Sequence, residues 1–273
     1  MNPYPLHAAA HLGDLALVKK LITKKKEDFN RQNQKGQTPC HSACLGGQLA
    51  VLKYLVEKVK AKYDVLDLEG ISPALLASQE QAYPCLRYLL DLPIRMDVGD
   101  LQGNTCLHNV VNNRKMSSQD KEDAVRRILS KGMDINKQNT YVGDSALHMA
   151  CRVGANNIVS LLIAKKADAS LPNHAGDTPA HVAATLVEGL AAIQKISEVV
   201  PESHMFMMNS KRLTPHHVAK KSGNTTVLDF LMKKFPPPEG ALTPRGGLVD
   251  PGSTPRSGSS TPQSGMTPRS MSC

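Results

Sequence analysis

Histidine is the residue type in this chain that could most readily do chemistry, because it titrates near neutral pH and binds metal ions. Six histidines recur inside similar short segments: His7, His41, His108, His148, His181 and His217. Leu75 takes the same place in one copy that lacks the histidine. Aligned histidines could hold a metal or transfer protons, but a full copy separates neighbours. A hydroxyl residue precedes each ring, as Thr38 precedes His41, so we predict a hydrogen bond that locks a turn of the scaffold.

Two cysteines beside one histidine also invite a chemical interpretation. Cys40, His41 and Cys44 resemble zinc ligands, yet no further ligand pair follows at the usual spacing. Other copies place Leu and Ala at the cysteine positions, which favours core packing. No Gly-x-Ser-x-Gly or phosphate-binding loop occurs, so we predict a protein that is not an enzyme and has no catalytic, cofactor or metal site.

The segments that carry the histidines form an internal repeat. Successive copies are separated by 34, 34, 33, 40, 33 and 36 residues, and a period near 33 indicates a repeat array. In the copy at 144–176, Ser145 stands where a helix N-cap belongs, and a short apolar helix is predicted from Ala146 to Arg152. A second helix at 157–165 is followed by a polar finger that ends at Gly176.

The fold class predicted from this pattern is all-α dominated, an α-solenoid of about seven helix-turn-helix repeats. The predicted domain is 1–235, with repeats near 3–36, 37–70, 71–103, 104–143, 144–176, 177–212 and 213–235. The third copy is irregular, because Tyr83-Pro84 interrupts the approach to its second helix. The fourth has an insertion at 114–119, expected as a loop, and the sixth has additional residues around 201–208.

Composition limits the partners and the cell compartment. The 273 residues include only 4% aromatic side chains and carry a net charge of +9. The basic residues are not interleaved with aromatic ones, so direct nucleic-acid binding is not expected. The six cysteines form no paired framework, and no apolar run reaches the length of a membrane span or resembles a signal peptide. We expect a protein of the cytoplasm, the nucleus or both, with no membrane partner.

The segment 236–273 differs from the repeats because it is rich in Gly, Ser, Thr and Pro. The segment has too few large apolar residues to bury the surface that would offset the conformational entropy lost on ordering. It is therefore predicted to be a disordered tail. Four threonines precede proline: Thr243, Thr254, Thr261 and Thr267. Proline-directed kinases would modify these sites, and each phosphate would add about −1.5 to −2 charge. The alternative is an unmodified spacer.

The repeat resembles the ankyrin repeat over about 3–235. The resemblance rests on Thr-Pro-x-His-x-Ala, a glycine that ends helix one, a Leu-Leu pair in helix two and an Asp-containing finger. It implies a helix pair plus a β-hairpin finger per repeat, stacked as a solenoid. It also implies protein partners bound through the finger tips and the concave first-helix surface, without catalysis.

A finer resemblance concerns the segment MDINKQNTYVG and the SALHMA and IVSLLI that follow it. They are similar to late repeats of the IκB group, whose members hold Rel-type (NF-κB) transcription factors. The finger before Gly143 has one residue more than the common form. The chain departs from that group in having no paired-serine arm and no acidic tail. Its basic tail is closer to the nuclear co-regulators.

Candidate contact residues lie beside each turn glycine and at the ends of first helices. They are Gln34, Lys35, Gln37, Leu68, Glu69, Ile71, Gln79, Leu101, Gln102, Asn104, Asn112, Tyr141, Val142, Asp144, Arg152, His174, Asp177 and Lys211. Five are apolar where solvent would favour polar groups: Leu68, Ile71, Leu101, Tyr141 and Val142. An exposed apolar cluster is typical of a binding surface, although these side chains could instead pack finger against finger.

The predicted function is a non-enzymatic adaptor or inhibitor that binds a partner protein and has a regulated tail. One alternative is an IκB-like regulator of a Rel-type transcription factor. Another is a scaffold or substrate receptor for a kinase or ubiquitin ligase, for which no recruitment box is recognisable. The sequence does not identify the partner.

Overall fold

The computed structural model describes residues 3–80 and 82–237, and the described residues up to Pro236 belong to one compact unit. Helices α1 to α14 of these residues are Pro5–Leu12, Leu15–Lys25, Pro39–Leu45, Leu49–Lys53, Pro73–Gln79, Tyr83–Leu90, Cys106–Asn112, Ser118–Ser130, Ala146–Val153, Asn156–Ala164, Pro179–Ala184, Leu190–Val199, Pro215–Lys221 and Thr225–Lys234. A π-helical turn at Tyr54–Lys58 extends α4, and 3₁₀ turns occupy Val187–Gly189 and Glu202–Phe206.

The helices form two layers. Odd-numbered helices pack in sequence from α1 to α13, and even-numbered helices pack in sequence from α2 to α14. Each odd helix also contacts the even helix that follows it, so one repeat is an antiparallel pair. This arrangement confirms the predicted solenoid of seven helix pairs.

One continuous core lies between the layers. Leu52, Leu89, Leu107, Leu147 and Ile193 are among its fully buried large side chains. Short aliphatic side chains fill this core, which explains how the chain folds with so few aromatic residues. No helix in the described ranges is long and apolar enough to cross a bilayer.

The histidine row joins successive repeats. His41 Nδ1 accepts the backbone N–H of Thr38 at 3.0 Å and lies 2.9 Å from Thr38 Oγ1. Its Nε2 lies 3.0 Å from the carbonyl of Ile71, at the entrance to the next repeat. Since Nδ1 accepts a backbone N–H, the ring proton is on Nε2 and is donated to that carbonyl.

The same pair of bonds recurs at His108, His148 and His181. The predicted hydroxyl partner is therefore confirmed, and the ring also links its repeat to the next. Leu75 cannot make this link from the third repeat to the fourth.

Two irregular repeats differ from the sequence prediction. The prediction that Tyr83-Pro84 interrupts the third copy is wrong, because Pro84 lies in the first turn of α6, where its missing N–H needs no acceptor. In the fourth repeat α8 begins at Ser118, and Ser117 Oγ accepts the N–H of Asp120 at 3.1 Å. Residues 118 and 119 of the predicted loop at 114–119 are therefore helical, and α8 has 13 residues where α10 has 9. The loop itself is shorter than predicted and covers 113–117.

Candidate protein-binding surface

The joins between repeats form six fingers, defined here as 33–37, 67–71, 100–104, 139–144, 173–177 and 209–213. Each begins with Asn or Asp and is closed by a bond from that residue's N–H to the carbonyl of the finger's last residue. The fingers are tight turns and not hairpins of paired strands. Only two isolated bridges, Gly99–Thr105 and Gln138–Ser145, pair described residues at their bases.

The opening Asn or Asp side chain makes each finger rigid. In the third finger Asp100 Oδ1 accepts the N–H groups of Gln102 at 3.0 Å and Asn104 at 2.8 Å. Equivalent bonds form in the other fingers. Because the tip's own N–H groups are satisfied, its side chains are held in fixed positions without contact from a partner.

The fourth finger has the additional residue that the sequence predicted. Gly143 N–H bonds to the carbonyl of Asn139, four residues earlier, whereas Gly103 N–H bonds to Asp100, three residues earlier. The inserted residue places Tyr141 and Val142 at the tip. Gly143 has φ +73°, and a Cβ there would lie 2.5 Å from the ring of His174, so both the backbone conformation and the packing require glycine.

Neighbouring fingers are joined by hydrogen bonds, with one gap. Backbone bonds link Leu68 N–H to Lys35 O, Thr140 N–H to Gln102 O, His174 N–H to Val142 O and Ser210 N–H to Ala175 O. Side-chain bonds reinforce these four junctions, for example Asn173 Nδ2 to Asp144 Oδ1 at 2.8 Å. Among the described residues no such bond joins the second and third fingers.

The gap follows from the sequence at Ile71. The equivalent positions hold Gln37, Asn104, Asp144 and Asp177, whose polar side chains reach the next finger. An isoleucine cannot make that bond. The first two fingers and the last four therefore form separate hydrogen-bonded groups.

The structure places the candidate contact residues of the six fingers on one edge of the solenoid, whereas Gln79, Asn112 and Arg152 lie at the ends of first helices. The candidates with exposed side chains are Gln34, Lys35, Leu68, Glu69, Gln79, Leu101, Gln102, Asn112, Tyr141, Val142, Arg152, His174 and Lys211. Gln37, Asn104 and Asp177 are partly buried.

Ile71 and Asp144 must be corrected, because their exposed fractions are only 9% and 1%. Ile71 belongs to the core cluster. Asp144 accepts Arg152 Nη2 at 2.6 Å and Asn173 Nδ2 at 2.8 Å, so its carboxylate joins the fourth finger to the fifth. Both residues are scaffold and not contact surface.

The remaining apolar candidates form what we call the fingertip row: Leu68, Leu101, Tyr141 and Val142. Their exposed fractions are 79%, 68%, 78% and 36%. Leu68 tips the second finger, Leu101 the third, and Tyr141 and Val142 the fourth. Because Leu68, Leu101 and Tyr141 are mostly in solvent and Val142 is about one-third exposed, the row is apolar surface that a partner could bury.

Cys40, His41 and Cys44, which the sequence suggested as candidate zinc ligands, are buried between the repeats. Burial raises the pKa of the Cys40 thiol to about 12 and lowers the pKa of His41, while its bond to Ile71 O acts the other way. Cys44 is also buried and forms no disulfide with another described cysteine. Within the described ranges, no group of three or more His, Cys, Asp or Glu side chains is arranged to hold a metal.

Sequence reasoning missed one exposed feature at the opposite edge, where each first helix turns into the second. Val187 is 82% exposed there. The fourth and sixth copies are longer than the others, with 40 and 36 residues between aligned histidines. Their additional length could have indicated that some turns project further than others at this edge. To predict which side chains lie near Val187, one would also need to know where α8 begins and how long the turn before α12 is.

Four candidate phosphorylation sites, Thr243, Thr254, Thr261 and Thr267, lie outside the described residues. So does all of the predicted tail except Pro236 and Pro237.

The chain matches a family model described as ankyrin repeats (3 copies), at residues 6–100 and 107–196. Over 71 residues, 24% of the chain, it is 32% identical to neurogenic locus notch homolog protein 1 of Xenopus tropicalis. That match spans only 3% of the relative's length.

Solved structures of the same architecture cover most of the chain. The ankyrin repeat domain of Bcl-3, described as a member of the IkappaB family, has a TM-score of 0.67 and 26% identity, covering 83% of this chain and 97% of that one. The human ASB11 ankyrin repeat domain has a TM-score of 0.67 at 22% identity, covering 83% and 96%, and shows the fold alone.

A third structure is the complex of the Bdellovibrio bacteriovorus endopeptidase Bd0816 with immunity protein Bd3460. One of its chains has a TM-score of 0.60 and 31% identity, covering 72% of this chain and 98% of its own length.

Proposed function

The chain belongs to the ankyrin repeat family, and from that membership we propose that it is a protein-interaction module whose fingertip row binds a partner protein. The observation that carries the proposal is the exposure of Leu68, Leu101 and Tyr141 on fingers made rigid by their own hydrogen bonds. A rigid apolar surface loses little conformational entropy on binding, so burial of its side chains contributes directly to affinity.

The proposed action is that of an adaptor or inhibitor. The similarity to a chain from an endopeptidase–immunity protein complex supports a role in which the solenoid occupies a partner's surface. The partner is a protein of the cytoplasm or nucleus, and proline-directed phosphorylation of the tail regulates the interaction. Mass spectrometry of the protein from its own cells tests the tail: phosphate at Thr243, Thr254, Thr261 or Thr267 is expected, and four unmodified threonines would reject the regulation.

The binding proposal is tested by replacing Leu101 and Tyr141 together with Ala. Because both side chains are exposed, we expect the thermal unfolding midpoint to stay nearly constant. Affinity purification with mass spectrometry should show loss of a captured partner, and its measured affinity should fall by about tenfold or more, as for truncation of binding hot spots.

A matched control is the double replacement of Val199 and Met232 by Ala. These side chains are 53% and 41% exposed on α12 and α14, away from the fingers. Capture should be unchanged in the control. Equal losses of binding and stability in the Leu101 and Tyr141 variant would reject the contact role.

A second candidate function is regulation of a Rel-type transcription factor. The specific observations in its favour are the similarity to Bcl-3 across 83% of the chain and the additional residue in the fourth finger. Pull-down of a Rel-homology dimer, lost in the Leu101 and Tyr141 variant, would support this assignment. If the chain without substitutions does not capture the Rel-homology dimer, the Rel-type assignment is rejected and the partner is a different protein.

A further inference from the structure

The edge opposite the fingers contains a trough of about 750 Å³ over the fifth repeat. Its floor is the short turn from α9 to α10 at Gly154 and Ala155. One wall is the loop and first turns of α8, and the other is the segment that enters α12. The lining residues are Arg114, Ser118, Lys121, Arg152, Val153, Gly154, Ala155, Asn157, Leu186, Val187 and Glu188.

The two walls are raised by the irregular fourth and sixth repeats. Five residues, 113–117, separate α7 from α8, whereas only Gly154 and Ala155 separate α9 from α10. A 3₁₀ turn at Val187–Gly189 raises the other wall. The regular fifth repeat therefore lies lower than both neighbours at this edge, and a groove crosses it.

The trough is basic. Its lining has three cations, Arg114, Lys121 and Arg152, and one carboxylate, Glu188. Arg152 is held by the buried Asp144 at 2.6 Å. Arg114 and Lys121 form no ion pair with a carboxylate of the described residues.

Lys121 is the more informative of these cations. It is partly buried, and its Nζ lies 3.5 Å from the carbonyl of Val111. Loss of water around the ammonium lowers the pKa of Lys121. Because this partly desolvated ammonium has a carbonyl but, within the described part of the chain, no carboxylate beside it, a carboxylate placed there gains more than it would at a fully hydrated lysine.

The wall opposite Lys121 has two apolar residues, Leu186 and Val187, followed by the carboxylate of Glu188. Val187 is 82% exposed, and Leu186 lies beside it. A ligand that fits both walls has carboxylates facing Arg114 and Lys121 and an aliphatic side chain facing Val187.

We propose that this trough binds an acidic segment of a partner protein, with carboxylates against Arg114 and Lys121 and an aliphatic side chain against Val187. This surface is separate from the fingertip row, because it lies at the helix-turn edge of the repeats. One partner protein could therefore contact both the finger edge and the helix-turn edge of the solenoid.

The test uses the full chain, unmodified, and a fluorescein-labelled peptide of Glu and Asp residues around a central Leu. Fluorescence anisotropy at low salt should show binding, with backbone amide shifts concentrated at Gly154, Ala155 and Val187. Changing Arg114→Glu with Lys121→Gln should weaken binding by about tenfold or more, as expected for loss of close charge pairs. Val187→Asp, at a site too exposed to affect folding, should also weaken it.

A matched control, Lys220→Glu with Lys233→Gln, makes the same change in net charge at exposed sites on α13 and α14. Equal weakening in this control would show unspecific charge attraction and overturn the proposal. Loss of peptide binding in the Leu101 and Tyr141 variant would place the peptide at the fingers instead. If phosphorylation of the tail by a proline-directed kinase displaces the peptide, the trough belongs to this chain's own tail, and the assignment to a partner is wrong.

Discussion

At the scale of single residues, each of several aligned histidines stabilises its own repeat and also binds the next repeat. The ring of His148 accepts the N–H of Ser145 within its own repeat and lies 2.9 Å from the carbonyl of Asp177 in the next. Sequence alone predicted the hydroxyl partner, because Ser or Thr stands three residues before five of the six aligned rings. The bond to the next repeat was not predictable, since it depends on how helix pairs stack.

Acid should destabilise the protein through its buried histidines. Burial lowers the pKa of His7, His41, His108, His148, His181 and His216, and bonds to backbone carbonyls act the other way. The unfolded chain therefore binds protons below about pH 6.5 while the folded chain does not. Stability should be full above that pH and should be lost as the pH falls through it toward the folded pKa values.

The measurement is the urea midpoint at pH 7.5 and pH 5.5. We expect a lower midpoint at pH 5.5 and a smaller difference in a His148→Gln variant, which has one titrating ring fewer. His11→Gln, at an exposed position, is the control. A midpoint that is unchanged or higher at pH 5.5 would contradict the role of neutral, buried rings.

At the scale of elements, hydroxyl-proline pairs marked the helix starts correctly, as Thr178-Pro179 does for α11. Helix lengths were harder to predict. The sequence predicts a loop at 114–119, but Ser117 caps α8, whose buried face is Ala124, Val125 and Ile128, so residues 118 and 119 already belong to the helix. Packing against α6, α7 and α10 then stabilises α8 over its length.

The third repeat should be the least protected part of the array. It lacks the histidine link to the fourth repeat, and its finger has no bond to the second finger among the described residues. Stability in a repeat array depends on such nearest-neighbour contacts, so local opening should begin here.

Hydrogen exchange measured by mass spectrometry checks this expectation. Amides of α5 and α6 should exchange faster than those of α9 and α10, where both kinds of link are present. If the third and fourth repeats are protected as well as the fifth, the missing bonds do not weaken the array.

At the scale of the whole molecule, repetition made the architecture predictable and the surface only partly so. The period, the tip glycines and the exposure of Leu101 and Tyr141 followed from alignment of the copies. The burial of Ile71 and Asp144 did not, because a position beside a turn glycine faces either solvent or the next finger. The trough depends on the heights of three neighbouring repeats, which no single copy reveals.

The central claim is that the fingertip row contacts a partner protein, and photo-crosslinking tests it most directly. The photoreactive residue p-benzoylphenylalanine would replace Tyr141 in the full chain and, as a control, Val199, which is exposed on α12. Irradiation in cells should give a covalent adduct with one partner protein from position 141 and none with that protein from position 199. No adduct from position 141, or the same adduct from both positions, would contradict a binding surface at the fingers.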